Sequence, residues 1–306
     1  MRLGAHLGIS GGLAEAVLEA RRIGCESLQI FSKSPQMWSG PPIAPDAAEA
    51  FRAAVREEGL HATAVHHGYL ANLGSPKAFG RKRSRAAFVD ELHRADLLGV
   101  DGLIFHPGAH LGSGVDTGLR TIAESLQFIL EEVPESRVRL LLENAAGQGT
   151  TLGSTFEELA SVLAQVDRRD RLGVTLDTCH LFAAGFDFRD ETSYGDLMDK
   201  VERTLGRETV RAFHLNDAKA ALGSHLDRHE NIGKGEIGAE GFRHFVSDRR
   251  WAETPGFLET PLDDRGYALY AADLRTLRSL LEPSPAAGPT RRPADRRGAA
   301  RGSSVK

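Results

Sequence analysis

Short apolar runs alternate with longer amphipathic stretches along nearly the whole chain. Leu3 to Leu7 is the first run, and Leu13, Val17, Ala20 and Ile23 follow it at helical spacing. The pairing recurs with Ser27 to Phe31 and 45–58, Ala62 to His66 and 81–98, Gly102 to His106 and 118–132, and Arg139 to Glu143 and 155–166. Leu172 to Asp177 with 194–205, Val210 to Leu215 with 239–249, and Gly256 to Glu259 with 267–281 complete eight units. Runs such as Leu140 to Glu143 (LLLE) lack alternation, as strands covered on both faces do. Eight strand–helix units predict an α/β fold, a closed (β/α)8 TIM barrel, over residues 1–282.

The polar residues fall where such a barrel would use them. The third to eighth strands end in His66, His106, Glu143, Asp177, His214 and Glu259. In a parallel barrel those ends open on one mouth, where barrel enzymes place their active sites. His180 follows Asp177 by three residues, and Asp227 and His229 sit in a polar Gly-rich loop after His214, so all three are expected in loops at the same mouth. A lone strand-terminal histidine is more often structural than a ligand, but here nine ligand-type side chains converge. Imidazole and carboxylate are what zinc or manganese take, and nine exceed what one ion needs, so two or three ions are expected.

Charge changes the picture in one respect. The net charge of −4 is split between residues 1–282, at −9, and a Pro/Ala/Arg-rich tail, 283–306, at +5. The tail lacks apolar periodicity, and its composition predicts a disordered basic extension. Three divalent ions would offset most of the acidic excess, so the balance does not exclude a phosphate substrate. Two cysteines, Cys25 and Cys179, in apolar segments predict no disulfide framework. The absence of a signal-peptide region and of a membrane-length apolar run predicts a soluble, cytoplasmic protein. Gly233, Gly235 and Gly238 fit GxGxxG, but they follow a polar loop instead of a strand, so a tight turn beneath Asp227 and His229 is expected in place of a dinucleotide site. His67, His110 and His225 adjoin candidate ligands, as outer hydrogen-bond donors or as exposed residues.

Several motifs carry a resemblance. HHGYLANLG from His66, FHPGAHLG from Phe105, LLENAAGQG from Leu141, LDTCHLFAAGFD from Leu176 and HLNDAKAALGSHLDRHENIGKGEIG from His214 resemble the endonuclease IV family of type-2 apurinic/apyrimidinic endonucleases. The likeness runs from the N-terminal LGAHLGISGGL to about Leu281 and leaves only the tail uncovered. It implies a trinuclear zinc barrel, with manganese admissible at one position, that hydrolyses the DNA phosphodiester 5′ to an abasic site by a zinc-activated hydroxide. The products would be a 3′-hydroxyl and a 5′-deoxyribose phosphate, and blocked 3′ ends would also be trimmed.

By motif, the resemblance gives His66, His106 and Glu143 to one zinc. Glu143, Asp177, His214 and Glu259 go to a second, and His180, Asp227 and His229 to the third. Glu143 and Glu259 are the expected catalytic carboxylates, bridging ions and orienting water. An abasic site has no base to read, so side chains must fill its gap in the duplex. Tyr69, Leu70 and Gln36 match the inserting positions, with Gln36 standing where many relatives have Arg, and Lys33 is a neighbouring candidate for phosphate. A monomer acting on abasic double-stranded DNA is expected. The competing readings are a metal-dependent sugar isomerase or epimerase of the same barrel type, which would not need the additional His/Asp ligands, and an idle damage-binding protein, which would lack some of them.

Overall fold

A computed structural model describes residues 1–281. The boundary at 282 and the basic tail lie outside the described residues. Eight strands close into a barrel: β1 (Arg2–Leu7), β2 (Ser27–Ile30), β3 (Ala62–His66), β4 (Gly102–Phe105), β5 (Arg139–Glu143), β6 (Leu172–Asp177), β7 (Val210–His214) and β10 (Pro255–Leu258). Every neighbouring pair is parallel, and β1 closes the ring against β10. Between them run α1 (Leu13–Arg22), α2 (Pro45–Glu57), α3 (Ala78–Leu98), α4 (Val115–Glu132), α5 (Phe156–Ala164), α7 (Glu191–Thr204), α8 (Gly238–Ser247) and α9 (Ala268–Ser279). The predicted barrel is therefore the observed fold, with element ends displaced by up to a few residues. No described helix is long and apolar enough to cross a membrane.

The helices form for ordinary reasons. In α4, Leu119, Ile122, Ala123, Leu126, Ile129 and Leu130 recur at helical spacing and are buried against the strands. α7 begins with a capping box, in which Asp190 accepts from the Ser193 amide and Ser193 Oγ accepts from the Asp190 amide.

Period-two alternation sets the inside of the barrel. Ala64, Ile104, Leu141, Ala212 and Phe257 form a compact buried cluster separate from the main core. Each stands two positions before a candidate ligand: His66, His106, Glu143, His214 and Glu259. Residues two apart on a strand share a face, so the side chains that plug the barrel and those that line its mouth are successive inward layers.

Three small elements depart from expectation. His180 lies in a six-residue helix, α6 (Thr178–Ala183), instead of a loop. β8 (Asp217–Ala218) pairs antiparallel with β9 (His229–Glu230), so His229 is held in a small hairpin. The glycine motif turns the chain just after His229, as expected, and has a second role that was not expected. It wraps the buried carboxylate of Asp217, which accepts from the amides of Gly233, Gly235, Ile237 and Ala218 at 2.8–3.0 Å. A Cβ at Gly235 would lie 2.3 Å from the Ala218 carbonyl oxygen, so only glycine permits the approach. Asp217→Ala would strip the acceptor from these amides, at roughly 1–3 kcal/mol for each of the two on buried residues, Ala218 and Ile237. Denaturant unfolding should register a loss of at least about 2 kcal/mol, and a change below about 1 kcal/mol would show that the cage is not structural.

Candidate metal centre at the barrel mouth

The strand register brings the predicted ligands side by side. Asp177 pairs with His214 across β6 and β7, and His66 pairs with Ile104, two residues short of His106. Glu143, fully buried at the end of β5, is the hub. Its carboxylate lies 3.1 Å from His66 Nε2, 3.6 Å from His106 Nδ1, 3.3 Å from His180 Nδ1 and 2.9 Å from His214 Nδ1. Asp177 Oδ2 lies 3.7 Å from both His214 and His229, and Asp227 stands 3.3 Å from His180 and 3.2 Å from His229. Glu259 Oε2 is 3.3 Å from His214 Nδ1.

All nine expected ligands thus converge, and they sort by distance into sets. His66, His106 and Glu143 form one; Glu143, Asp177, His214 and Glu259 a second; His180, Asp227 and His229 a third; and His66, His214 and Glu259 also lie together, across the first two. Within each, the donor atoms lie within 4.8 Å of one another. Cys179 also falls within that distance of Asp177 and His229, but its buried thiol points to the Arg228 carbonyl and burial pushes its pKa up to about 12.

The hydrogen bonds behind the rings indicate that a cation fits. His66 Nδ1 bonds the His67 carbonyl at 2.8 Å, His180 Nδ1 bonds that of Asn144 at 2.8 Å, and His229 Nδ1 bonds that of Glu259 at 3.1 Å. A carbonyl only accepts, so each Nδ1 must be the donor, which leaves the Nε2 lone pair facing a carboxylate. Lone pair against carboxylate is unfavourable unless a proton or a metal ion lies between. His229 Nε2 is buried and has no hydrogen-bond partner.

Four polar residues of the site were absent from the sequence reading. His6 on β1 and Gln29 on β2 occupy the inward mouth position of the two strands that seemed to offer no ligand. His6 Nδ1 lies 3.0 Å from Glu259, and Gln29 donates to Glu259 and accepts from His214 Nε2 at 2.8 Å. Asn144 and Asn216 are buried braces. Asn144 Oδ1 accepts from the Asp177 amide at 2.6 Å, while Asn216 donates to Asp177 Oδ2 at 2.7 Å and accepts from the Glu259 amide at 2.8 Å. The signal available in sequence was an asparagine beside or two residues past a ligand, in LLEN and HLND. His67 and His110 face away from the ligands. His67 stacks on Phe88, and His110 Nδ1 accepts from the Gly112 and Gly114 amides. His225 Nδ1 bonds the Ala146 carbonyl at 3.1 Å.

Beside the ligands a cavity of about 390 Å³ is lined by Tyr69, His106, Gln148, His180 and Asp227, among others. Tyr69 is largely exposed, with its ring 6.3 Å from that of His106, and Leu70 and Gln36 are exposed as well. The two loops touch: a Cβ at Gly68 would lie 2.7 Å from the Pro35 carbonyl oxygen. Met37, half exposed beside Gln36, is an apolar rim residue the sequence reading passed over. Lys33 is not free to meet a phosphate, contrary to expectation. Its side chain is 5% exposed and its ammonium pairs with Glu91 and with Asp90, so it braces α3 and offers no free charge to a phosphate.

The family pattern described as a xylose isomerase-like TIM barrel matches residues 17–280. Fold and ligand ring thus place the chain in that class of barrel. Within it, the chain is 42% identical over 281 residues to "Probable endonuclease 4" of Chloroflexus aurantiacus, covering 92% of this chain and 98% of the relative. The crystal structure of endonuclease IV from Thermus thermophilus superposes with a TM-score of 0.81 at 36% identity, covering 92% and 99% of the two chains. The chain belongs to the endonuclease IV family. A D-psicose 3-epimerase from Clostridium cellulolyticum, at 18% identity and a TM-score of 0.66 with 92% and 100% covered, shares the fold.

The pKa shifts have consequences once metal is removed. Burial opposes a charge on His214, but Glu259, Glu143 and Asp177 outweigh it and raise its pKa from 6.5 to about 9. His229 rises to about 9 against the same burial, through Asp227 and Asp177. Glu143 and Glu259 are held below the usual carboxylate range by the surrounding imidazoles, again against burial. For chelator-treated protein, the raised histidines contribute stability that is complete below about pH 6.5 and lost as pH climbs through about 9. The depressed carboxylates contribute stability present above about pH 4.5 and lost on further acidification. The thermal midpoint in chelator should therefore fall between pH 6.5 and 9, and the fall should vanish on metal loading. A flat chelator curve in that window would refute this account of the histidines.

Proposed function

We propose that the protein is a DNA-repair endonuclease that hydrolyses the phosphodiester 5′ to abasic sites in double-stranded DNA, using three zinc ions. The observation that carries the proposal is the convergence of all nine candidate side chains, in three groups of which the first two share Glu143. Zinc there would supply a water deprotonated near neutral pH and positive charge for the phosphate oxygens. The sugar isomerase alternative would account for Glu143, Asp177, His214 and Glu259 but gives no reason for His66, His106, His180, Asp227 and His229. Family membership at 42% identity to a protein named for endonuclease activity points the same way.

The chain's own residues have distinct tasks. Glu143 reaches ligands of all three groups and fixes their spacing. Glu259, whose Oε1 bonds His6 and Gln29, is held to orient the attacking water. The partly exposed His106 leaves the first group open toward the cavity, which would take the extruded abasic sugar and its phosphate. Tyr69 and Leu70 stand at the rim to fill the gap in the base stack, with Gln36 on the adjoining loop. Gln36 brings amide hydrogen bonding without charge, so shape carries more of the recognition. The reading is of a monomer acting in the cytoplasm.

Metal analysis of purified protein, with incision of a duplex bearing one abasic-site analogue, tests this. Close to three zinc per chain and 5′ incision abolished by chelation are expected, and zinc, or manganese at one position, should restore it. Glu143→Gln should lower metal content and cut incision by more than about a hundredfold, beyond the loss typical of an outer hydrogen-bonding residue. One or two metals per chain with no incision, and turnover of a keto-sugar instead, would establish the isomerase reading.

A further inference from the structure

Beside the rim, the β3–α3 loop and the first turns of α3 hold Lys77, Arg81, Lys82, Arg83 and Arg85, with no acidic residue before Asp90. This is the wrong end of a helix for cations. The free N–H groups there carry partial positive charge, and α3 has neither an acidic first turn nor a side-chain cap to relieve it. The ion pairs that α3 makes among the described residues are those of Asp90 and Glu91 with Lys33, and none involves these five cations.

What the three arginines touch is neutral. Arg81 donates to the Ser75 carbonyl at 2.9 Å, the Arg83 guanidinium lies 4.2 Å over the Trp38 ring, and Arg85 donates to Ser125 Oγ at 3.0 Å. Such contacts aim a charge without cancelling it. Lys77 and Lys82 are exposed, and so is Phe79, at 81%. The patch is continuous with the mouth, because Trp38 shares the loop of Gln36 and Ser75 that of Tyr69 and Leu70. It is also a concentration of positive charge on residues 1–282, which are otherwise acidic. A local excess of unpaired cations at a cost to the helix is the footprint of a polyanion.

We propose that the start of α3 is a track for the phosphate backbone of the duplex arm flanking the lesion. The inference rests on reading the mouth as a DNA-processing centre. Phosphate contacts position a duplex without reading its sequence, and each one releases counterions, so they are counted by salt dependence.

The test uses the full-length, metal-loaded protein carrying Lys77→Gln, Lys82→Gln and Arg83→Gln together. Affinity for a duplex with an abasic-site analogue is measured against KCl concentration. The slope of log K on log salt should become shallower by about 2–3, since each lost contact removes about 0.9. Incision at saturating DNA should be unchanged, and the thermal midpoint unchanged or slightly higher, because the removed charges oppose the helix dipole. Lys77→Arg, Lys82→Arg and Arg83→Lys together should keep the wild-type slope. An unchanged slope in the Gln variant overturns the proposal whether or not the protein incises. A wild-type protein that binds with the expected slope difference but never incises overturns only the reading of the mouth.

Discussion

A fully buried carboxylate surrounded by imidazoles is the constraint around which this barrel is arranged. Glu143 has no access to water, and its four histidine neighbours approach from β3, from the residue after β4, from α6 and from β7. An uncompensated carboxylate in that position would be strongly disfavoured. It persists because positive charge can be placed on every side of it, as protons on the histidines or as metal ions in their stead. Most of the architecture serves that arrangement. The inward layer of Ala64, Ile104, Leu141, Ala212 and Phe257 closes the barrel beneath and keeps water out from below. Backbone carbonyls tie the outer nitrogens of His66, His180 and His229, so each ring presents one nitrogen in one direction.

Much of this was legible in the chain itself. The strand–helix alternation is regular, and the strand-terminal polar residues stand out against apolar runs, so the barrel and the six side chains that meet at its mouth could be read directly. The two remaining strands concealed their contribution. His6 is followed by Leu7, and Gln29 by Ile30 and Phe31, so neither closes its apolar run, and only the two-residue alternation of an actual strand shows that both point inward. α6 is too short for helical periodicity to register, and the β8–β9 hairpin has two residues per strand. In both cases long-range contacts, not local pattern, define the element.

Lys33 marks a different limit. A cation in a loop beside candidate DNA-contacting residues invites a phosphate, yet its partner Glu91 lies 58 residues away in sequence and only the packing of α3 brings them together. The glycine motif announces a turn, but its cage around Asp217 depends on a neighbouring carboxylate that carried no signal of its own. Charge and spacing locate a site well; which charges are already committed is a property of tertiary structure.

Asp177 does two jobs with two oxygens. Oδ1 caps α6 by accepting from the His180 amide at 2.9 Å, while Oδ2 faces His214 and His229. One side chain therefore faces the imidazoles of His214 and His229 and also caps the helix that carries His180. Whatever holds Oδ2 of Asp177 in place would therefore also bear on the first turn of α6 and on where His180 stands. The second and third groups are thus joined through one side chain, so a disturbance at either is felt at the other.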